Sequence, residues 1–185
     1  MTERALNVQD LTADHGTLVV MANLVLRTFQ PLSRVAQLQH DRTLIGDWGH
    51  VRPGNERAYA RMVEVMTEHG ISTDGRPPIW AWHGPLRLID ADLLFDPVHE
   101  LSRGIATLTF RAPADLVLLC DYGHWCDALM APAADPAQPW QPAGRTADSL
   151  HPEQACLPYL RREWVTNIKP LPVAGWDTLD LETPL

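Results

Sequence analysis

The chain has 185 residues, 45% of them hydrophobic and 21% charged, with a formal net charge of −8 and a pI near 5.4. That length suits one domain able to bury about two-thirds of its unfolded surface. The acidic balance argues against a general nucleic-acid binder, which needs a cationic face to displace phosphate counterions, and Arg161-Arg162 is the only adjacent arginine pair.

Three cysteines do not make a disulfide framework. The start, Met1-Thr2-Glu3-Arg4, lacks a basic region leading into an apolar core. The apolar stretch Leu18 to Phe29 is interrupted by Asn23 and Arg27 and is too short to span a bilayer. These features predict a reduced, soluble, cytoplasmic protein with no membrane partner. Sixteen prolines favour an α+β chain with well-defined loops.

In chain order, residues 1–17 are a polar lead-in. The β-branched content of the next stretch and the stop at Pro31 predict a strand near Val25–Gln30, a helix being the competing reading of the first half. Pro31 then suits the first position of a helix with Val35 and Leu38 on its apolar side. Thr43–Gly46 reads as a short strand and Asp47–His50 as a turn. The clearest helix runs from Glu56 to His69. Asn55 caps it after the breaker Pro53-Gly54, and Gly70 sits where a left-handed terminator belongs. Its stripe is Tyr59, Met62, Val63 and Met66. Turn chemistry in Asp74-Gly75 and the pair Pro77-Pro78 lead into the strand Ile79-Trp80-Ala81-Trp82-His83.

A short element falls within Leu86–Leu94. Ile105–Phe110 alternates Thr107 and Thr109 with Leu108 and Phe110, and Ala112–Asp115 makes a turn. Leu116–Cys120 is a continuous apolar run, the mark of a central strand covered on both faces. Tyr122–Met130 reads as a short helix. Residues 131–152, rich in Pro, Ala, Asp and Gln, read as a loop or arm. Glu153–Tyr159 reads as one or two helical turns limited by Pro158, and Trp164–Ile168 as the last strand. Residues 171–185 form an acidic tail, frayed past Gly175. The sum is a single compact α+β domain over residues 18–170, with a mixed, strongly curved sheet and three or four short helices. Trp80, Trp82, Leu116, Leu118, Tyr59, Met62 and Met66 are its expected core.

The densest chemical feature is the pair Trp80 and Trp82. Spaced i, i+2 on a strand, they point the same way. They either seal a core or line a pocket. In a pocket they form a stacking platform for a base, a sugar or an aromatic ligand, with His83 as proton donor or acceptor. A second group is Cys120-Asp121-Tyr122-Gly123-His124-Trp125-Cys126, which places a thiol, a carboxylate and an imidazole at a strand end, where sheets often carry their sites. Asp121 and His124 join the candidates from here, Asp121 also serving as a helix cap. The spacing Cys-x3-His-x-Cys lacks the paired short intervals of a zinc site, so no metal is predicted. No glycine-rich phosphate loop is present, and no two histidines share a metalloprotease spacing.

Several stretches resemble a bacterial family known only as domain of unknown function 3841. They are Leu26–Gln30, Ala58–Met62, Pro78–Trp82, Leu118–Tyr122, Gln154-Ala155 and Glu163-Trp164-Val165, and in order they span roughly residues 24–170. Relative to that family, His83 stands where an aromatic is usual and Cys120 where a serine is usual. The resemblance implies a body plan and no settled activity. A second, fold-level resemblance is to ADP-ribosyltransferase domains, whose opening is similar to a strand carrying Arg27 or Gln30, a helix and a short strand. It implies NAD in a cleft, with Arg27 and Glu163 cast as catalytic residues; the residues themselves offer Gln30, Trp80, Trp82, His83, Asp121 and His124 as ligand-binding candidates. The competing expectation is a non-catalytic interaction or accessory protein, since no nucleophile–base constellation stands out.

Overall fold

The computed structural model describes residues 22–130 and 153–185. Its organising strand is β1, Asn23–Pro31, which pairs along its whole length with β4, Ile105–Pro113, and on its other side with β3, Ile79–His83. Beyond β3 lie β6, Glu153–Leu157, and the edge strand β5, Leu118–Cys120; beyond β4 lies β8, Val165–Pro170. The order across this six-stranded sheet is β5-β6-β3-β1-β4-β8, and each of these pairings is antiparallel, a more uniform sheet than the mixed one expected. A small sheet joins β2, Thr43–Ile45, to β7, Tyr159–Arg161. The helices are α1, Leu32–Asp41; α2, Glu56–Glu68; α3, Leu88–Leu94; and α4, Tyr122–Met130. Among the described residues no helix is long and apolar enough to cross a membrane.

Strand alternation sorts side chains onto two faces. One face carries Leu26, Ala81, Leu108, Phe110, Ala155 and Leu157, which pack with Val35 and Leu38 of α1 and with Leu44 and Leu160 of the small sheet. Each fully buried Leu, Val or Phe among them contributes about 1.5–3 kcal/mol. The other face is covered in two sectors. Cys120, Cys156 and Leu118 meet Met62, Val65 and Met66 of α2 and Trp125 of α4. Phe29, Trp82 and Ile105 meet Leu86, Leu88 and Ala91 around α3, together with Leu171 and Trp176.

The α2 stripe settles on Met62, Val65 and Met66, with Val63 only half-buried. Gly70 follows at φ 79°, the left-handed conformation that ends a helix. Asn55 precedes α2 without a side-chain cap bond; instead the Glu56 carboxylate reaches back to the Gly54 N–H at 2.7 Å.

Four expectations are corrected. The segment read as helical turns is β6, wedged between β3 and β5, whose ladders override the helix-favouring Gln and Ala. The apolar run at Leu116–Cys120 is not a central strand. Leu116 closes a 3-10 turn outside the core, and β5 is an edge strand with Leu119 half-buried. The strand expected to stop at Phe110 continues to Pro113, so the turn expected at Ala112–Asp115 gives way to strand and a 3-10 turn at Ala114–Leu116. The acidic tail is docked rather than frayed. Trp176 is buried, Leu179, Leu181 and Leu185 pack beside it, and backbone bonds run from Leu88 to Thr183, Ile89 to Leu181 and Leu185 to Leu86. The lead-in and the proline-rich arm lie outside the described residues.

Candidate functional site

Directly opposed residues of an antiparallel ladder share a face. Reading the registers across the sheet gives Cys120 opposite Gln154, Gln154 opposite Trp82, Trp82 opposite Arg27, Arg27 opposite Thr109 and Thr109 opposite Asn167. Six strands therefore contribute one transverse row to the face that carries α2, α3 and α4, its Asn167 end exposed. Polar or ionisable groups dominate this row, and the apolar sectors around Cys156 and Leu118 and around Phe29 and Ile105 lie on the same face.

Arg27 stands near the middle of the row and is half-buried. Its Nη1 donates to the Gly84 carbonyl at 2.7 Å. Its Nε–H is buried and meets no protein acceptor. Among the described residues no carboxylate pairs with this guanidinium. The buried hydroxyl of Thr107, on the neighbouring strand of the same face, also lacks a partner. A half-buried, uncompensated guanidinium is costly unless something anionic meets it.

The walls are aromatic. Trp82 is buried and meets the Tyr122 ring edge-on, centroids 4.9 Å apart. Burial, with Cys126 beside it, pushes the Tyr122 hydroxyl up to about 12. Trp80 points to the same face, as the i, i+2 spacing predicts, and lies 4.7 Å from Trp125 and 5.7 Å from Tyr59. Burial raises the Tyr59 pKa, an effect the Trp80 indole N–H opposes, although that N–H stops short of hydrogen-bond geometry. Trp80 is thus mainly a packing residue, and Trp82 is the indole beside the polar row. At one end of the row Gln154 is buried and its Oε1 accepts from the Cys120 thiol at 3.9 Å. Cys156 is fully enclosed; burial first, and Cys120 second, drive its pKa well above the usual thiol value.

The remaining sequence candidates are dispersed. His83 points to the opposite face, where its Nδ1 lies 3.0 Å from the Glu153 carboxylate in a partly exposed dyad. Gln30 is also on that face and donates to the Thr28 hydroxyl, which in turn donates to the Trp80 carbonyl. Asp121 caps α4, accepting from the His124 backbone N–H at 3.0 Å, and His124 itself is exposed. Glu163 is in the 3-10 turn between β7 and β8 and pairs with Arg161 at 3.5 Å. No hydrogen bond or ion pair joins Glu163 to Arg27. Among the described residues no group of three or more His, Cys, Asp or Glu side chains is placed to hold a metal ion.

Gln154, Thr109 and Asn167 were missed because each is unremarkable alone. The only sequence signal was polarity recurring inside strands: Thr107 and Thr109 alternate with apolar neighbours, and Asn167 stands between Thr166 and Ile168 in the last strand. No protein-family model, curated protein or solved structure matches the chain.

Proposed function

We propose that this protein binds a small anionic ligand at Arg27, of the nucleotide class, with Trp82 and Tyr122 beside it and Thr109, Asn167 and Gln154 flanking along the row. The observation that carries this reading is the Arg27 Nε–H, buried beside an aromatic wall with neither acceptor nor counterion. A guanidinium presents its donors as a planar fork suited to two oxygens of a phosphate or carboxylate. With Nη1 held by Gly84, the Nε and Nη2 donors of the fork are those left for the ligand.

The resemblance to ADP-ribosyltransferase domains makes NAD and ADP-ribose the first ligands to try. Glu163 faces Arg161 rather than Arg27, so the reading is one of binding and assigns Glu163 no catalytic step. The test is isothermal titration with NAD, ADP-ribose, AMP and inorganic phosphate, on the native chain and on Arg27→Met. A saturable complex with a phosphorylated ligand, lost in Arg27→Met, is expected. No binding at millimolar ligand, or equal binding by the variant, overturns the reading.

A further inference from the structure

The docked C-terminal segment builds a second feature beside α3. An open groove of about 640 Å³ runs between α3, the turn after it and residues 173–181. Val98, Val173, Trp176 and Leu181 supply apolar lining, and Asp92 and Asp177 stand in it as carboxylates. Two of the apolar side chains here face water: Val98 is 74% exposed and Val173 54%. Scattered exposed apolar residues are ordinary, whereas two that face one groove with Trp176, Leu179 and Leu181 in its lining mark an interaction surface.

The charge on the two segments that form it is one-sided. Residues 88–104 carry Asp90, Asp92, Asp96 and Glu100 against Arg103, and residues 171–185 carry Asp177, Asp180 and Glu182 with no Lys or Arg. Some of these carboxylates are already used. Asp90 caps α3, Glu182 meets Arg87, and Asp96 meets His99, whose backbone and side-chain hydrogen bonds hold the Asp96 carboxyl below its ordinary value. Asp92 and Asp177, the two in the groove, enter no ion pair with a described residue. An acidic rim around an apolar floor disfavours a second copy of the same acidic face, because like charges would meet across the contact.

We propose that this groove docks a basic amphipathic segment of another protein, its apolar side chains seated on Val98, Val173 and Trp176 and its Lys or Arg side chains on Asp92 and Asp177. Such a partner satisfies both features at once: it removes exposed apolar surface from water and neutralises a concentrated negative rim. The site does not depend on ligand binding at Arg27, and its occupant fits the accessory-protein class.

The experiment is fluorescence anisotropy of a labelled helical peptide with Leu at i, i+3, i+4, i+7 and Lys elsewhere, titrated with the full chain. A second peptide has Glu in place of every Lys. Amide shifts in an NMR titration locate the contact. Binding of the Lys peptide is expected, with shifts centred on residues 92–103 and 173–181, weakening as salt rises. Asp92→Lys with Asp177→Lys should weaken it about tenfold, and the neutral Val98→Asn by about tenfold. The Glu peptide should not bind. The idea fails if the Lys peptide does not bind, or binds Val98→Asn as tightly as the native chain. It fails equally if sedimentation shows a dimer that Val98→Asn abolishes, which would assign the groove to a second copy.

Discussion

Replacing Arg27 by methionine separates a residue kept for binding from one kept for folding. Methionine retains much of the stem beside Trp82 and deletes the charge. Two opposing effects follow. The bond from Nη1 to the Gly84 carbonyl is lost, which for a charged donor costs about 1.5–3 kcal/mol. Gly84 is only half-buried, so water recovers part of that. Against it, the orphaned Nε–H disappears, relieving about 1–3 kcal/mol of unmet desolvation, and a half-buried cation without a counterion goes with it. The effects nearly cancel, giving a net stability change within about 1.5 kcal/mol in either direction. In a domain of this size that moves Tm by no more than about 5 °C. Ligand affinity has no such compensation: one charge-assisted bond lost corresponds to roughly 10- to 150-fold. Urea denaturation followed by circular dichroism, paired with titration of ADP-ribose or whichever phosphorylated ligand binds the native chain, reads both quantities on the same samples. Arg27→Lys keeps the charge but not the fork, and should recover only part of the affinity. A stability loss above about 3 kcal/mol with unchanged affinity would show that the guanidinium is a structural strut, and the reasoning would be wrong.

The other consequences are structural. Trp125, buried between Trp80 and Tyr59, should lose about 3–5 kcal/mol as Trp125→Ala in chemical denaturation; a loss below about 1.5 kcal/mol would mean the aromatic cluster collapses into the space. A methyl group at Gly46 would be driven into the Pro77 carbonyl, so Gly46→Ala should cost more than about 2 kcal/mol. At Gly70 open space leaves only the left-handed backbone to penalise the change, about 1 kcal/mol, and thermal melts that rank the two in the reverse order would contradict the packing. Cys120 and Cys156 are buried and Cys126 is not, so a thiol reagent should label Cys126 alone until denaturant is added. The neutral forms of Cys156 and Tyr122 are favoured by folding. Their contribution to stability is complete below the ordinary values of 9.0 and 10.0 and is lost as pH climbs from there towards the folded values, about 12 for Tyr122. The urea midpoint should therefore fall between pH 8 and pH 11, and a constant midpoint would refute that assignment.

What the sequence disclosed and what it withheld divide along a physical line. Elements fixed by local chemistry were legible. The strand around Trp80 and Trp82 is bracketed by Pro77-Pro78 and Gly84-Pro85, and α2 has a breaker before it and Gly70 after it. Elements fixed by distant partners were not. Glu153–Leu157 contains no β-branched or aromatic residue and becomes a strand only because β3 and β5 supply ladders on both sides. The tail looked frayed because its acids outweigh Trp176, Leu179, Leu181 and Leu185, whose burial depends on an apolar surface more than seventy residues earlier, at Leu86 to Ala91.

The Arg27 row belongs to the second kind. Arg27 was singled out, and Trp82 was, but their adjacency is a statement of register, and register is written in no single segment. It is nonetheless strongly determined. A slip of β1 by one residue would turn Arg27 into the layer where Leu26 packs with Leu108 and Phe110, and would turn Leu26 out of it. That exchange buries a cation among hydrocarbon and surrenders a fully buried leucine, several kcal/mol against the slipped state. The hydrophobic face thus enforces the one alignment that sets Arg27 beside Trp82, Thr109 and the backbone of Gly84. The same constraint that holds the sheet in register assembles the site proposed for the ligand, so core substitutions on the opposite face, such as Leu26→Ala or Leu108→Ala, should weaken any binding at Arg27 without touching the ligand.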